Sequence, residues 1–140
     1  MAARFESLFV ISRFQAELDR RRPGQSDIVT AAGSGGVPVV RTYRYGNNRV
    51  TAVSSFYAFS TSYRGGVTVS AGDLNGDGRQ ELIVGTGGGT QAEVRVYNLN
   101  NPASPVLVSR KVVFTGFTGA ANVGVVDYQD SGNLAILVGA

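Results

Sequence analysis

Oxygen ligands suited to a hard cation recur along residues 73–81, which read DLNGDGRQE. Side-chain oxygens stand at positions 1, 3, 5 and 9 of this stretch, and the backbone carbonyl at position 7 can add another. These positions are Asp73, Asn75, Asp77, Glu81 and, through its carbonyl, Arg79. Calcium binds about six to eight oxygens at about 2.3 to 2.6 Å. The spacing therefore predicts a Ca²⁺ site in this segment, called the acidic loop below, with water completing the coordination.

The residue at position 12 distinguishes the acidic loop from an EF-hand. An EF-hand needs a bidentate glutamate there, where this chain has Val84 inside the apolar run 82–84. Gly78 supports the sharp turn that returns the ninth residue to the site. Three carboxylates in one short loop repel each other, so a structural ion tying adjacent strands is expected. The alternative without metal is a hairpin turn rich in Asp, Asn and Gly.

The segments that position this loop belong to a sequence repeat with a constant offset of 54. The apolar stretch 27–33 recurs at 81–87 and at 135–140, and further pairs keep the offset, among them Arg41 with Arg95 and Tyr43 with Tyr97. The aromatic stretch 56–59 matches 114–117 at an offset of 58, which predicts a four-residue insertion in the turn 98–105, cancelled by a later deletion. Turns absorb such changes readily.

Each unit is predicted to hold four short strands. In the central unit they lie near 67–72, 81–86, 92–98 and 105–114, bounded by Gly, Asn and Pro. This pattern is typical of a β-propeller blade, which buries its small sheet by stacking on neighbours. We therefore expect an all-β chain of about 2.5 four-stranded units, a partial propeller, because a ring needs about four blades. Either the chain is a piece of a longer protein or several copies close a propeller.

The domain scheme places a leader at 1–26 and the repeats at 27–140. In the leader, Phe5, Leu8, Ile11 and Leu18 fall near helical spacing, whereas positions 14, 16 and 18 also alternate as in a strand. A helix ending at Pro23 is the preferred prediction, and a poorly ordered segment is the alternative.

The composition restricts the available chemistry. The chain has no Cys and no His, which excludes disulfides, Cys/His zinc sites and histidine-based catalysis. Lys111 is its single lysine. We therefore expect no enzymatic activity, and the alternative is a propeller-type lyase or hydrolase fragment using Asp, Tyr, Lys or Arg.

The charge distribution bears on the partner. Five of the 13 basic residues precede position 27, and the rest of the chain balances to +1 (8 basic minus 7 acidic). A nucleic-acid binder spreads its Lys and Arg over the face that meets phosphate, so no nucleic acid is expected. No apolar stretch approaches the ~20 residues of a membrane helix, and the run 8–11 is too short for an export signal.

Two further features have structural and functional interpretations. The glycine-rich stretch 85–89 lacks the Lys-Ser/Thr of a phosphate-binding loop, so a tight hairpin is preferred. Repeated tyrosines can stack on sugars or pack between blades, and packing between blades is preferred. These tyrosines are Tyr43, Tyr45, Tyr57, Tyr63 and Tyr97.

The stretch 65–87, GGVTVSAG followed by the acidic loop and ELIVGTG, resembles the FG-GAP repeats, also called VCBS repeats, of integrin-like β-propellers. The resemblance covers about residues 27–140. It implies calcium-ligand roles for the five residues of the acidic loop named above. It also implies an adhesive module that binds an unknown protein or glycan, at an extracellular or cell-surface location. A homo-oligomeric unit that closes a propeller from several chains is a further alternative.

The other two units depart from the family pattern at this loop. In the third, Asp127 keeps the first position, but the fifth is Ser131 and the ninth is Ala135. In the first, Asp19 and Asp27 keep the end positions, while positions 21 and 23 are Arg and Pro. No calcium is expected in the first unit, and binding in the third is left open.

Overall fold

A computed structural model describes residues 6–11, 26–101, 103–129 and 132–140. These residues contain ten β-strands and no helix. In chain order the strands are β1 (Glu6–Ile11), β2 (Ser26–Ala32), β3 (Val39–Gly46), β4 (Arg49–Tyr57), β5 (Val67–Gly72), β6 (Glu81–Thr86), β7 (Glu93–Asn98), β8 (Val106–Val112), β9 (Asn122–Val126) and β10 (Ala135–Gly139). The four strands predicted for the central unit are confirmed to within two residues at each end.

The strands form three antiparallel sheets, each in chain order. The first sheet is β1-β2-β3-β4, the second β5-β6-β7-β8, and the third pairs β9 with β10. Each sheet has the up-and-down arrangement of a propeller blade. They are called blade 1, blade 2 and blade 3 below. The prediction of an all-β chain forming part of a propeller is confirmed.

The N-terminal segment corrects one expectation. Residues 6–11 form strand β1, so the helix prediction is wrong at these residues. Strand β1 pairs with β2 from Glu6 opposite Ala32 to Ile11 opposite Asp27, completing the fourth strand of blade 1. Long-range pairing with β2 therefore outweighs the helical spacing of a few apolar residues. The remainder of the leader, residues 1–5 and 12–25, lies outside the described residues.

Strand pairing also corrects the alignment of the repeats. The amide of Ala58 donates to the Pro38 carbonyl at 2.9 Å, and the amide of Val113 donates to the Ala92 carbonyl at 2.9 Å. Pro38 and Ala92 keep the repeat offset of 54, so Ala58 corresponds to Val113, at an offset of 55 and not 58. In blade 1, Arg44 pairs with Thr51, and six residues lie between them. In blade 2, the equivalent residue Asn98 pairs with Val106, and seven residues lie between them. The insertion is therefore one residue, not four.

The hydrophobic core lies between the blades. One cluster joins Val29 and Val40 of blade 1 to residues of blade 2 that include Leu82 and Val84. A second cluster joins Ile83 and other residues of blade 2 to β9 and β10. All six residues of β6 are buried, because alternate side chains face the two neighbouring blades. This explains the unbroken apolar run after Glu81.

Close backbone contact links blade 2 to blade 3. The Ala121 carbonyl, just before β9, accepts a hydrogen bond from the Thr68 hydroxyl at 2.6 Å. A Cβ atom at Gly85 would lie 2.1 Å from the same carbonyl oxygen. Glycine at this position therefore permits β9 to approach β6. The Ala121 amide donates to the Thr86 carbonyl at 2.7 Å, which completes the contact.

A second link joins blade 1 to blade 2 and is called the Ala58 junction. The Ala58 carbonyl accepts hydrogen bonds from a terminal guanidinium nitrogen of Arg95 at 2.8 Å and from the Tyr97 hydroxyl at 3.0 Å. The guanidinium carbon of Arg95 lies 4.7 Å from the centre of the Phe59 ring. The Tyr97 ring packs on Phe56 with centroids 4.9 Å apart. Tyr97 thus serves packing between blades, as preferred from the sequence.

Candidate metal site

The acidic loop connects β5 to β6 at one end of blade 2. Gly72, the last residue of β5, pairs with Glu81, the first residue of β6. Asp73 follows Gly72 directly and therefore lies next to this pair. Asn75 and Asp77 lie toward the loop tip, where Asp77 is exposed, whereas Glu81 is only 4% exposed. The hairpin therefore brings both ends of the predicted ligand series to one place.

Backbone amides of the loop converge on Asp73. Its Oδ1 accepts from the amides of Gly76 at 2.7 Å and Asp77 at 3.1 Å, and its Oδ2 accepts from Gly78 at 2.8 Å. Gly76 and Gly78 have φ angles of 75° and 80°, in the left-handed region that favours glycine. The expected role of Gly78 in the turn is thus supported by its backbone, and Gly76 has the same conformation.

The Asn75 amide links the remaining ligands. Its Nδ2 donates to Oε1 of Glu81 at 3.1 Å and lies 3.3 Å from Oδ2 of Asp77, while its Oδ1 accepts from the Asp77 amide at 2.8 Å. The Arg79 amide in turn donates to Oδ1 of Asp77 at 2.8 Å. A group carrying partial positive charge thus lies between two carboxylates. This is the electrostatic position that a bridging cation would take.

Glu81 is the most buried of the three carboxylates in the acidic loop. Burial raises the pKa of its side chain, and the hydrogen bond from the Leu74 amide to Oε2, 3.0 Å long, lowers it. The negative charges of Asp77 and Asp73 raise the Glu81 pKa further. Ionised Glu81 is therefore disfavoured by both desolvation and neighbouring charge. A bound cation would relieve both.

The donor types fit calcium, although the carboxylates are not gathered around one point. Within the part of the chain that the structure describes, no three His, Cys, Asp or Glu side chains are grouped closely enough to hold a metal. Hydrogen bonds nevertheless join Asp73, Asn75, Asp77 and Glu81 into one loop. Rotating the Asn75 amide would exchange its donor for an acceptor oxygen. That rotation would direct an additional ligand toward the carboxylates.

The equivalent loops differ in how far they are described. In the third unit the Gly132 amide donates to Oδ2 of Asp127 at 2.6 Å, and Gly132 has a φ of 78°, as at Gly78. The ninth position, Ala135, begins β10 and has no side-chain oxygen. In the first unit, residues 12–25 separate β1 from β2, against residues 73–80 between β5 and β6. The expectation for Asp19 falls outside the described residues.

Four-stranded antiparallel blades stacked through apolar faces, with an acidic loop between two strands, define a β-propeller repeat module. Residues 65–100 match the family model described as FG-GAP repeat. The matched segment contains β5, the acidic loop, β6 and β7, and it confirms there the resemblance to FG-GAP repeats inferred from the sequence. No curated protein and no solved structure matches the chain. No helix among the described residues has the length and apolar character needed to cross a lipid bilayer.

Sequence reasoning missed two structural contacts, one at the site and one at the Ala58 junction. The Leu74 amide, which binds Glu81, is a backbone group and has no signal in the residue types. The Ala58 junction did have a signal, because Arg95 and Tyr97 repeat Arg41 and Tyr43 at the common repeat offset.

Proposed function

We propose that the chain is a non-enzymatic β-propeller repeat module with one structural Ca²⁺ in the acidic loop. The ligands would be Asp73, Asn75, Asp77 and Glu81 through side chains, and Arg79 through its carbonyl. The observation that carries the proposal is the buried Glu81 carboxylate, which shares its loop with two more carboxylates and has a raised pKa. A cation supplies the charge compensation that this arrangement lacks.

The proposed ion would act on stability, not on chemistry. Asp73 follows β5 and Glu81 begins β6, so an ion held by both would connect these strands. Because β6 lies between two apolar clusters, fixing its first residue supports both blade contacts. At a free calcium concentration of about 100 times the dissociation constant, binding would stabilise the folded state by about 2.7 kcal/mol.

The module's proposed role is to bind a protein or glycan, in adhesion at an extracellular or cell-surface location. FG-GAP repeats are typical of extracellular proteins, and this supports the location. The exposed rings of Tyr45 and Tyr57, on β3 and β4, offer aromatic surface to such a partner. Among the described residues, the carboxylates of the acidic loop are proposed as calcium ligands, and no other group of carboxylates is proposed as a catalytic site. This favours a binding role over catalysis.

Calorimetric titration of calcium into chelator-treated protein tests the proposal. Wild type is expected to bind one ion per chain, and Asp77→Ala is expected to lose that site. Asp77 is exposed, so its removal leaves the core intact. Asp127→Ala is the control. Asp127 is the first residue of the equivalent loop in the third unit, so this variant should keep the site in the acidic loop. Absence of binding in wild type, or equal binding in Asp77→Ala, would contradict the proposal.

A further inference from the structure

The tip of the acidic loop carries an Asn–Gly pair, Asn75 and Gly76. Both residues are exposed. Gly76 has a φ of 75°, and a Cβ added there would meet nothing within 4 Å. Because glycine has no side chain, its backbone nitrogen can approach the side-chain carbonyl carbon of the preceding residue without steric hindrance. The Gly76 nitrogen and Asn75 Cγ are therefore a nucleophile and an electrophile held in adjacent residues and accessible to water.

Two contacts of the loop suit a reaction between these atoms. The Gly76 amide donates to Oδ1 of Asp73 at 2.7 Å. This lies within the ~2.6 to 3.2 Å at which a carboxylate can act as a general base. The Asp77 amide donates to Oδ1 of Asn75 at 2.8 Å, the placement of a donor that stabilises negative charge developing on an attacked carbonyl. The loop thus supplies a base for the nucleophile and an oxyanion donor for the electrophile.

We propose that the acidic loop modifies itself at Asn75, by deamidation through a succinimide. The Gly76 nitrogen forms a bond to Asn75 Cγ as Asp73 accepts its proton. That proton passes through water to Nδ2 of Asn75, the Cγ–Nδ2 bond breaks, and ammonia leaves. Water then opens the succinimide and leaves an aspartyl or isoaspartyl residue at position 75. The side-chain amide and one water are converted to a carboxyl group and ammonia, with no change in oxidation state.

The modification changes the charge of the loop. Nδ2 of Asn75 lies 3.1 Å from Oε1 of Glu81 and 3.3 Å from Oδ2 of Asp77, so it is a donor between two carboxylates. Deamidation replaces that donor with a further negative charge, which repels both. The inference goes beyond the proposed function, because it uses only contacts of the calcium-free loop. It is therefore tested in chelator, where failure of the calcium proposal cannot affect it.

Incubation of the 140-residue chain in chelator at mildly alkaline pH, followed by peptide mapping with mass spectrometry, tests the inference. The peptide containing Asn75 is expected to gain about 1 Da as the amide becomes a carboxyl group. Asn48 is the internal control, because it is exposed as well but is followed by Arg49, whose side chain hinders the backbone nitrogen. The peptide containing Asn48 should keep its mass. Gly76→Ala should slow modification of Asn75 by at least about tenfold, for the same steric reason.

Asp73→Ala separates assisted modification from the ordinary reactivity of a flexible Asn–Gly pair. Loss of the base should slow modification of Asn75 by at least about tenfold, with folding verified by circular dichroism. Asp127→Ala, in the third unit, is the matched control and should react at the wild-type rate. Wild type unfolded in guanidinium chloride loses both loop contacts and should also react more slowly than the folded chain. That comparison needs no mutation.

The rates decide the inference. Slower reaction in Asp73→Ala and in the unfolded chain, with the wild-type rate in Asp127→Ala, would support it. An equal or faster reaction in Asp73→Ala or in the unfolded chain would overturn it, because the folded loop would then give no assistance. A wild-type chain that gains no mass at Asn75 would overturn it as well.

Discussion

The Ala58 junction gives a prediction whose size follows from the structure. Tyr97→Phe removes one of two donors to the Ala58 carbonyl, while the ring retains its contact with Phe56. Because Arg95 still donates to that carbonyl, the loss is one net hydrogen bond, about 0.5 to 1.5 kcal/mol. Arg95→Met removes a charged donor and the contact with the Phe59 ring while keeping much of the stem, and should cost about 2 to 3 kcal/mol.

The double variant separates this reasoning from simple loss of contacts. Ala58 has 0% exposure, so water cannot replace a lost donor to its carbonyl. The double variant removes both side-chain donors and leaves this carbonyl buried without them. An unsatisfied buried group costs a further ~1 to 3 kcal/mol, so the double variant should lose more stability than the sum of the single variants.

Equilibrium unfolding in urea, with calcium chelated throughout, measures these differences. Tyr43→Phe is the matched control, because Tyr43 is the repeat equivalent of Tyr97 and makes no hydrogen bond through its hydroxyl with the described residues. It should change stability by less than about 0.5 kcal/mol. Equal effects of Tyr43→Phe and Tyr97→Phe, or strict additivity in the double variant, would refute the proposed role of the junction.

Two further predictions concern the acidic loop and the blade contact. In the folded, calcium-free state, burial raises the Glu81 pKa above its ordinary value of 4.5. Protonated Glu81 therefore stabilises the folded state at pH below 4.5, and this stabilisation is lost as pH rises through the raised pKa. Calcium needs the ionised carboxylate, so the calcium affinity measured by calorimetry should weaken as pH falls toward the raised Glu81 pKa, and an affinity independent of pH would count against Glu81 as a ligand. Gly85→Ala should destabilise the fold by about 1 to 3 kcal/mol in urea unfolding, because the new Cβ meets the Ala121 carbonyl at 2.1 Å. Gly124→Ala, which meets nothing within 4 Å, should stay within about 0.5 kcal/mol of wild type, and equal losses would disprove the close-contact explanation.

The central blade was predictable because its signals are local. Alternation in 94–97 and the Gly, Asn and Pro residues between strands indicate the bounds of β5 to β8. Strand β1 was mispredicted because its pairing partner β2 lies beyond residues 12–25, a relation that local spacing does not contain. The repeat offset at 56–59 failed for another reason. Matching aromatic letters aligned Phe56 with Phe114, whereas backbone pairing aligns Phe56 with Lys111.

The candidate site was predictable in residue type but not in arrangement. The sequence spacing identified the possible oxygen ligands and the need for glycine at position 78. It contained no sign that the Asn75 amide would donate to Glu81, or that Glu81 would be buried. Both depend on where β6 lies between its neighbouring blades, which is a tertiary property.

Burial decreases sharply from the inner to the outer strands of blade 2, and this has a consequence for local opening of the chain. Every residue of β6 is buried, whereas every residue of β8 is exposed. Amide hydrogens of β6 should therefore exchange with solvent only on global unfolding, while those of β8 exchange through low-energy fraying of the rim. The blade would loosen from its outer edge inward, leaving the strand that carries Glu81 as the last to open.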